Sequence, residues 1–355
     1  MGILYEKLIR PVLFLQDPEK AHDSGIAVLR LVREWGALCR IMERWNLVRT
    51  QKPIELFGLT FPNAVGLAAG MDKNGVCWQA GAAFGFGHVE IGTITFQKQP
   101  GNPRPRVFRY PKEEAIINRL GFNNEGAPTV AERLAKYSRR HKRRQMLLGI
   151  NIGKSKTVPL ENAAEDYLAS FRLLADFADY FTINISSPNT PGLRKLQDKE
   201  LLRGFLGPLI EAKKDRAQKM GESAIPMLVK IAPDLSFRQI DYILEVITEL
   251  GFDGVVATNT TTQFPPALNN IAETGGLSGK PLEKRSTQIV KYINSATEGK
   301  MPIIGVGGIH DVESASRKMD AGARLIQIYT GFVYRGPFTP KVIARGLANR
   351  NAEWV

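Results

Sequence analysis

The sequence predicts an α/β protein: a (β/α)8 TIM barrel with an N-terminal amphipathic helical extension. After residue 52, short apolar runs alternate with helical stretches, which is typical of parallel strands buried on both faces. Eight such runs occur, the number of strands that closes a barrel of this kind. Before residue 52, apolar residues recur instead at helical spacing. The eight runs are NAVGLAAG (63–70), HVEIGTI (88–94), MLLGINIG (146–153), YFTINISS (180–187), PMLVKIA (226–232), GVVATNT (254–260), PIIGVGGI (302–309) and LIQIYTGF (325–332).

We expect the chain to divide into a helical extension, residues 1–52, and a barrel, residues 53–355. In the extension, Asp17 and Pro18 are typical of a helix start, since aspartate caps a first turn and proline is tolerated at the first helical position. An amphipathic segment of this kind can pack on its own domain or lie in a membrane interface. From the pattern alone, packing on the barrel is the favoured interpretation. The helically spaced apolar residues are Leu4, Leu8 and Val12, then Ile26, Leu29, Val32 and Trp35, continuing through Leu38, Ile41, Met42 and Trp45.

The composition is that of an ordinary globular protein with a basic surplus. A formal net charge of +13 predicts attraction to an anionic partner: nucleic acid, an acidic membrane surface or a phosphorylated small molecule. Residues 129–145 alone carry seven Lys or Arg against one Glu. The simplest interpretation is a solvated helix end, because Tyr137 is the only aromatic residue there that could stack on a base. We therefore expect no nucleic-acid partner.

Several site classes are disfavoured by the same composition. The two cysteines form no CxxC pair and have no histidine at ligand spacing, so we expect no metal site and a reducing compartment. No apolar run approaches the roughly 18 residues that span a bilayer. The first residues resemble neither a secretory signal nor a mitochondrial transit peptide.

Nearly every apolar run ends in small or polar residues, and this pattern predicts a ligand. In a barrel all the carboxyl ends of the strands open on one face, where the following loops build the site. Gly307 and Gly308 end the seventh run, where barrels usually hold a phosphate, although a glycine turn can also serve only tight packing. A phosphate anchor with amide-rich walls suits FMN, and no GxGxxG follows the first strand to suggest a dinucleotide.

Eight sequence blocks, in order, closely resemble the dihydroorotate dehydrogenase family. They look like its class 2, the membrane-associated, quinone-reducing branch. The blocks are GLAAGMDKNG (66–75), PGNPRPRVFR (100–109), INRLGFNN (117–124), NISSPNTPGLR (184–194), VKIAPDL (229–235), ATNTT (257–261), GGLSGKPL (275–282) and IIGVGGI (303–309).

The resemblance implies an FMN enzyme that oxidises dihydroorotate to orotate in pyrimidine synthesis. Ubiquinone or menaquinone would be the final acceptor, reached through a tunnel whose entrance is the helical extension. Because of this resemblance, we favour a peripheral membrane contact for the extension over packing on the barrel alone. It implies a location on the cytoplasmic side of a bacterial inner membrane, and we expect a monomer.

The resemblance also assigns residues, one block at a time. Ser187 matches the catalytic base, and Thr190 and Phe122 match the route by which its proton leaves. The positions that match flavin contacts are Ala69, Gly70, Thr93, Asn151, Asn184, Lys230, Thr258, Gly279, Gly308, Tyr329 and Thr330. Those that match contacts to the dihydroorotate ring and carboxylate are Lys73, Asn118, Arg119, Leu120, Gly121, Phe122, Asn184, Asn189, Asn259 and Thr260. Those that match the quinone tunnel are His22, Arg109 and Tyr329.

Two alternatives compete with this interpretation. One is another FMN barrel that acts on RNA, such as a dihydrouridine synthase, which the basic charge would suit. Such enzymes place a cysteine acid in the site loop, whereas this chain has Ser187 within NISSPN. The other is a basic binding protein on a barrel scaffold without catalysis, which would hold no flavin.

Overall fold

The computed structural model describes residues 2–50, 53–138, 145–269 and 271–352. In chain order, its strands are β1 (Ile54–Leu56), β2 (Leu59–Phe61), β3 (Val65–Leu67), β4 (His88–Ile94), β5 (Val107–Tyr110), β6 (Ala115–Asn118), β7 (Leu147–Ile152), β8 (Tyr180–Asn184), β9 (Met227–Ile231), β10 (Gly254–Ala257), β11 (Gly276–Gly279), β12 (Ile303–Val306) and β13 (Leu325–Ile328). Residues 139–144, within the basic segment of the sequence, lie outside the described ranges, as do Gln51 and Lys52.

Eight parallel strands close into a barrel in the order β3, β4, β7, β8, β9, β10, β12 and β13. Each of the eight apolar runs contains one of these strands, so the predicted barrel is confirmed. All residues of β8, β9, β10 and β12 are buried, because inward-facing side chains fill the barrel and outward-facing ones meet the helices. Continuous burial explains why the runs are apolar without alternation.

Helices follow the strands around the outside of the barrel. They are α5 (Ala127–Ser138), α6 (Ala163–Leu174), α7 (Lys199–Met220), α8 (Phe237–Leu250), α9 (Glu283–Ala296), α10 (Val312–Asp320), α11 (Thr330–Arg335) and α12 (Thr339–Ala352), and the helices of the extension precede them in the chain. Their ends follow local sequence: Ser236 and Gln239 form a capping box on α8, and Gly251 ends that helix in a left-handed conformation. After β3 a 3-10 helix, Trp78–Phe84, takes the place of the first outer helix.

Two small antiparallel sheets lie outside the barrel, and the sequence did not predict them. The hairpin of β1 and β2 precedes the first barrel strand. Strands β5, β6 and β11 form a three-stranded sheet with β6 in the middle. This sheet has an apolar cluster of its own, made by Ala115, Ile117, Leu268 and Leu277. It is relevant to the site because β6 ends at Asn118 and β11 ends at Gly279.

The extension consists of α1 (Gly2–Leu4), a π-helical turn (Tyr5–Ile9), α2 (Arg10–Leu15), α3 (Pro18–Glu34) and α4 (Gly36–Asn46). Helix α3 begins as expected, since the Asp17 carboxylate accepts hydrogen bonds from the amides of Glu19 and Lys20, both at 3.0 Å. The helical pattern continues through Trp35, but the backbone leaves the helical conformation there and α4 starts afresh. The extension is therefore a succession of helical segments rather than one long helix.

One face of the extension packs on the barrel and the other carries exposed apolar side chains. Tyr5 donates to the Val333 carbonyl at 2.7 Å, and Asn46 donates to the Ala83 carbonyl at 2.8 Å. The exposed apolar side chains are Leu4, Leu8, Ile9, Val12, Leu15, Val28, Leu31, Trp35, Leu38, Ile41 and Trp45. Within the described ranges, no helix combines the length and apolar character needed to cross a membrane.

Candidate active site

A cavity of about 560 Å³ opens at the carboxyl ends of the barrel strands and continues under the extension. Its wall combines strand ends, the ends of β6 and β11, and side chains of the extension such as Leu13, His22 and Val28. This volume lies within the range of roughly 300–1,000 Å³ found for small-molecule and cofactor sites. The cavity therefore joins the ligand site predicted at the strand ends to the entrance predicted under the extension.

Most of the residues assigned by resemblance line this cavity. From the flavin set they are Ala69, Gly70, Thr93, Asn184, Lys230, Thr258, Gly279, Gly308, Tyr329 and Thr330. From the substrate and proton-route sets they are Lys73, Asn118, Leu120, Gly121, Phe122, Ser187, Asn189, Asn259 and Thr260, and from the quinone set His22 and Arg109. Such convergence of residues from distant parts of the chain is what a ligand site requires.

Three of the assigned residues do not line the cavity. Asn151 lies behind the wall, where its side-chain oxygen accepts hydrogen bonds from Thr93 at 2.6 Å and Asn184 at 3.2 Å. The Arg119 guanidinium donates to the Pro105 carbonyl at 3.0 Å and lies over a neighbouring phenyl ring, so it is held on the protein and not toward the cavity. Thr190 is buried, and its hydroxyl has no hydrogen-bond partner among the described residues.

A chain of amides fixes the polar part of the wall. Asn184 donates to Thr93 at 2.9 Å, and Asn259 donates to the Asn184 side-chain oxygen at 3.3 Å and to the Ser186 hydroxyl at 3.0 Å. On the other side, Asn189 donates to the Asn118 carbonyl at 3.1 Å. Because each amide is held by a neighbour, these side chains have fixed orientations in the cavity wall.

Ser187 lies just beyond β8, in the loop that follows Asn184, and its residue is only 5% exposed. Its hydroxyl accepts a hydrogen bond from the backbone amide of Asn189 at 3.3 Å. No histidine or carboxylate among the described residues is hydrogen-bonded to this hydroxyl. The arrangement differs from a serine–histidine pair, so the hydroxyl can act as a base only if its proton has another way out.

Lys230 and Lys73 bring positive charge to the cavity, which Arg109 and Lys280 also line. Lys230 is buried on β9, and burial lowers the pKa of its ammonium while the Glu90 carboxylate acts to raise it. Lys73 lies in the loop after β3, where burial lowers its pKa to about 8 against the opposing effect of Glu19 and Asp23. Its ammonium is 3.4 Å from His22 Nε2. Burial, followed by the Lys73 charge, lowers the pKa of His22 to about 3, which keeps that ring neutral at pH 7.

Gly307 and Gly308 form a tight turn after β12 with φ angles of +113° and +76°. A β-carbon on Gly308 would lie 2.2 Å from Glu283 Cα, at the start of α9. Only glycine fits at this contact, and the turn lies near two helix starts, α9 and α11, where backbone amides favour an anion.

Arg109 and Tyr329 mark the part of the cavity that lies under the extension. The Arg109 guanidinium donates to the carbonyls of Leu13 and Phe14, both at 3.3 Å, and to that of Gln16. It thereby holds the end of α2 and also lies 4.3 Å from the centre of the Phe14 ring. Burial raises the pKa of Tyr329 to about 12, so its phenol is neutral.

The profile of the dihydroorotate dehydrogenase family matches residues 53–350. The chain belongs to the dihydroorotate dehydrogenase family. A dihydroorotate dehydrogenase (quinone) of Chloroflexus aurantiacus is 48% identical over 356 residues, covering 98% of this chain and 96% of its own. One from a Synechococcus strain is 46% identical, covering 97% and 93%. A crystal structure of DHODH from Eimeria tenella in complex with ferulenol has a TM-score of 0.83 and 37% identity, covering 99% of this chain and 94% of that chain.

In this member of the dihydroorotate dehydrogenase family, sequence reasoning missed Glu90. Its fully buried carboxylate accepts hydrogen bonds from Asn151 at 2.8 Å, Thr182 at 2.9 Å and Gln327 at 2.9 Å. Through Asn151 it supports the amide wall. Its negative charge favours the protonated form of Lys230 and so acts to raise the pKa of that lysine. The available signal was a charged residue in the middle of an apolar run, HVEIGTI.

The structure shows no candidate metal centre in the residues it describes, since no three His, Cys, Asp or Glu side chains there are grouped to hold an ion. The buried charges at the amide wall are instead Lys230 and Glu90. The family is flavin-dependent, and the amides, hydroxyls and lysines of the cavity suit an organic cofactor better than a metal.

Proposed function

We propose that this protein oxidises dihydroorotate to orotate, with FMN as the bound hydride acceptor and a membrane quinone as the final acceptor. The observation that carries the proposal is that one cavity collects Ser187, Lys73 and Lys230 with the amide wall, in a chain of the dihydroorotate dehydrogenase family. The product supplies de novo pyrimidine synthesis.

The residues fit FMN. Gly308 and Thr330 would hold the phosphate, because both line the cavity, one in the glycine turn and one at the start of α11, and such positions favour an anion. Lys230 and the amides around Thr93 would face the ring. When bound, FMN supplies the acceptor for the hydride that leaves C6 of dihydroorotate. Lys230 contributes a fixed positive charge that stabilises negative charge as it develops beside it.

The substrate is held by amides and one cation. We assign the ring and carboxylate of dihydroorotate to Asn118, Asn184, Asn189, Asn259 and Thr260, with Lys73 compensating the carboxylate charge. Since these amides are already oriented by one another, they bind without having to reorganise. The backbone of Leu120 and Gly121 completes this part of the wall.

Ser187 is the base that removes the proton from C5. Its hydroxyl needs an exit for the proton, and the unpartnered hydroxyl of Thr190 is available to join such a route through water. Phe122 adopts a positive φ of 54°, and its ring packs on Gly153 close to Thr93. We assign to Phe122 the shaping of this path and to Thr190 the transfer.

The quinone approaches from the extension side. His22, Arg109 and Tyr329 supply the polar contacts there, among apolar side chains such as Leu13 and Val28. A neutral His22 and a neutral Tyr329 suit an uncharged quinone, since neither imposes a charge on it. Whether ubiquinone or menaquinone is used depends on how the apolar side chains of the entrance fit its ring.

The exposed apolar face of the extension supports a peripheral membrane contact. Trp35 is 60% and Trp45 73% exposed, and tryptophan is favoured at membrane interfaces. We therefore propose that residues 1–52 associate with the membrane and form the quinone entrance, while residues 53–355 bind FMN. From the resemblance to class 2 of the family we further propose a location on the cytoplasmic side of a bacterial inner membrane, and a monomeric protein.

Anaerobic stopped-flow mixing tests the activity. Dihydroorotate is expected to bleach the flavin absorbance of the purified protein within seconds, and a soluble quinone analogue is expected to restore it. Protein that holds FMN but is not bleached would contradict the proposal and favour an RNA-directed relative, which transfer RNA substrates would then reveal. Protein that takes up no FMN even after reconstitution would favour a binding protein without catalysis.

Vesicle flotation tests the membrane contact. The double variant Trp35→Ser/Trp45→Ser is expected to lose at least tenfold in partition onto lipid vesicles, because two interfacial anchors are removed. Leu201→Ser/Val342→Ser is the matched control, since both residues are exposed and lie on barrel helices. Equal partition of the two variants would contradict a contact through the extension.

A further inference from the structure

A buried ion pair joins the extension to the loop between β4 and β5. The Glu19 side chain, on α3, is 10% exposed, and that of Arg106 is 6% exposed. The Glu19 carboxylate accepts hydrogen bonds from Arg106 Nη2 at 2.7 Å, from Arg106 Nε at 3.1 Å and from Arg104 Nη2 at 3.0 Å. A buried pair of this kind adds little net stability, because both charges lose water, but it fixes geometry.

Arg106 uses its remaining nitrogen to close its own loop. Its Nη1 donates to the Pro100 carbonyl at 2.7 Å and to the Asn102 carbonyl at 2.8 Å. Between these carbonyls lies Gly101, with φ +82°, where a β-carbon would come within 2.6 Å of Arg106 Nη1. Residues 100–106 are thus wrapped around a guanidinium whose position is set by Glu19.

The same loop holds the backbone of the substrate wall. The Asn102 amide donates to the Leu120 carbonyl at 2.9 Å. The Asn102 side chain donates to the Arg119 carbonyl at 3.0 Å and to the Asn189 carbonyl at 3.3 Å. The Arg119 amide donates in turn to the Arg106 carbonyl at 2.9 Å. The loop therefore connects the segment after β6 to the loop that carries Asn189 and Ser187.

Burial alone would raise the pKa of Glu19, but the hydrogen bonds and charges of Arg106 and Arg104 lower it. Glu19 is therefore ionised at pH 7. Its helix also brings His22 against Lys73, one turn further along the same face. Helix α3 thus contacts Lys73, which lines the cavity, and Arg106, which lies behind its wall.

We propose that Glu19 is a positioning residue for the dihydroorotate pocket, acting through Arg106 and Asn102 on the backbone that holds Asn118 and Asn189. The inference rests on the proposed function, which assigns orotate and dihydroorotate to this pocket. The extension is then part of the substrate site as well as the quinone entrance. Glu19 itself does not line the cavity, so it acts only through its partners.

Glu19→Gln in the full-length holoenzyme tests the proposal, because glutamine keeps the size of the side chain and removes its charge. We expect orotate, measured by its effect on the flavin spectrum, to bind about tenfold more weakly. Flavin content and the limiting rate of reduction at saturating dihydroorotate are expected to change less than threefold. Glu34→Gln is the matched control, since Glu34 lies on the same helix and pairs with Arg30 and Arg33 at the surface. This control is expected to bind orotate within twofold of wild type.

Asn102→Ala is the second variant, and it removes the last link without touching the ion pair. It is expected to weaken orotate binding to a similar extent, and Glu19→Gln/Asn102→Ala is expected to be no worse than the weaker-binding single variant. Orotate affinity within twofold of wild type in either single variant would overturn the proposal, and so would losses that multiply in the double variant. If wild type itself showed no response to orotate, the proposed function would fail together with this inference.

Discussion

Replacing Gly308 by alanine provides a quantitative test of the site geometry. A β-carbon there would lie 2.2 Å from Glu283 Cα and 2.5 Å from Glu283 N, so the start of α9 would have to move. Overpacking of this kind costs about 1–3 kcal/mol. The positive φ of +76° adds about 1–2 kcal/mol for a residue with a side chain. We therefore expect unfolding free energy to fall by about 2–5 kcal/mol.

Gly221→Ala is the control, because Gly221 also has a positive φ, +63°, but no atom lies within 4 Å of the added carbon. It is expected to lose only the backbone part, about 1 kcal/mol. Urea unfolding followed by tryptophan fluorescence measures both variants. Dialysis measures retention of FMN, which Gly308→Ala is expected to lose and Gly221→Ala to keep. Equal loss of stability in the two variants, with FMN retained in both, would refute the close contact of Gly308 with α9.

Three further outcomes are expected from the site. Ser187→Ala is expected to keep FMN and bind orotate but to slow flavin reduction about 10²–10⁴-fold in stopped flow, and near-normal reduction would mean that the base is another group. In wild type the rate at saturating dihydroorotate is expected to rise with pH, as the route that accepts the proton from Ser187 becomes deprotonated. Orotate affinity is expected to fall above about pH 8, where Lys73 loses its proton, by about tenfold per pH unit, whereas Lys73→Arg should give a flat profile up to pH 10.

The barrel could be predicted from sequence because its strands are apolar on both faces. Burial of β8 or β9 does not depend on which strand lies beside it, so the local pattern is sufficient. The sheet of β5, β6 and β11 could not be predicted in the same way. Strands such as VFRY and GLSG have no clear period, and β6 pairs with a strand that lies far along the chain. Pairing between distant segments leaves no local signal.

The site was predicted by its resemblance to a family, and its supporting contacts were not predicted at all. Glu19 and Arg106 are charged residues in segments whose pattern gives no sign of burial, and charged residues are mostly exposed. Glu90 lies in an apolar run, HVEIGTI, but nothing near it in the sequence shows which groups pair with its charge. Their partners come from other elements. Glu90 accepts a hydrogen bond from Gln327, which lies 237 residues later in the chain, and Glu19 of the extension accepts one from Arg106 of the barrel domain. Only the folded arrangement reveals that these charges are paired.

Helix α3 presents different groups on its two faces, and this separates two roles within one element. Glu19 and His22, three residues apart, face Arg106, which lies behind the cavity wall, and Lys73, which lines the cavity. Leu31 on the helix, and Trp35 directly after its last residue, are exposed on the outer surface. A change on the outer face alters contact with lipid but leaves the ion pair in place. The Trp35→Ser/Trp45→Ser variant is therefore expected to bind orotate as wild type does, and Glu19→Gln to bind vesicles as wild type does. If both variants lost both properties, the extension would have to move as one body on the barrel, and the separation of its faces would be wrong.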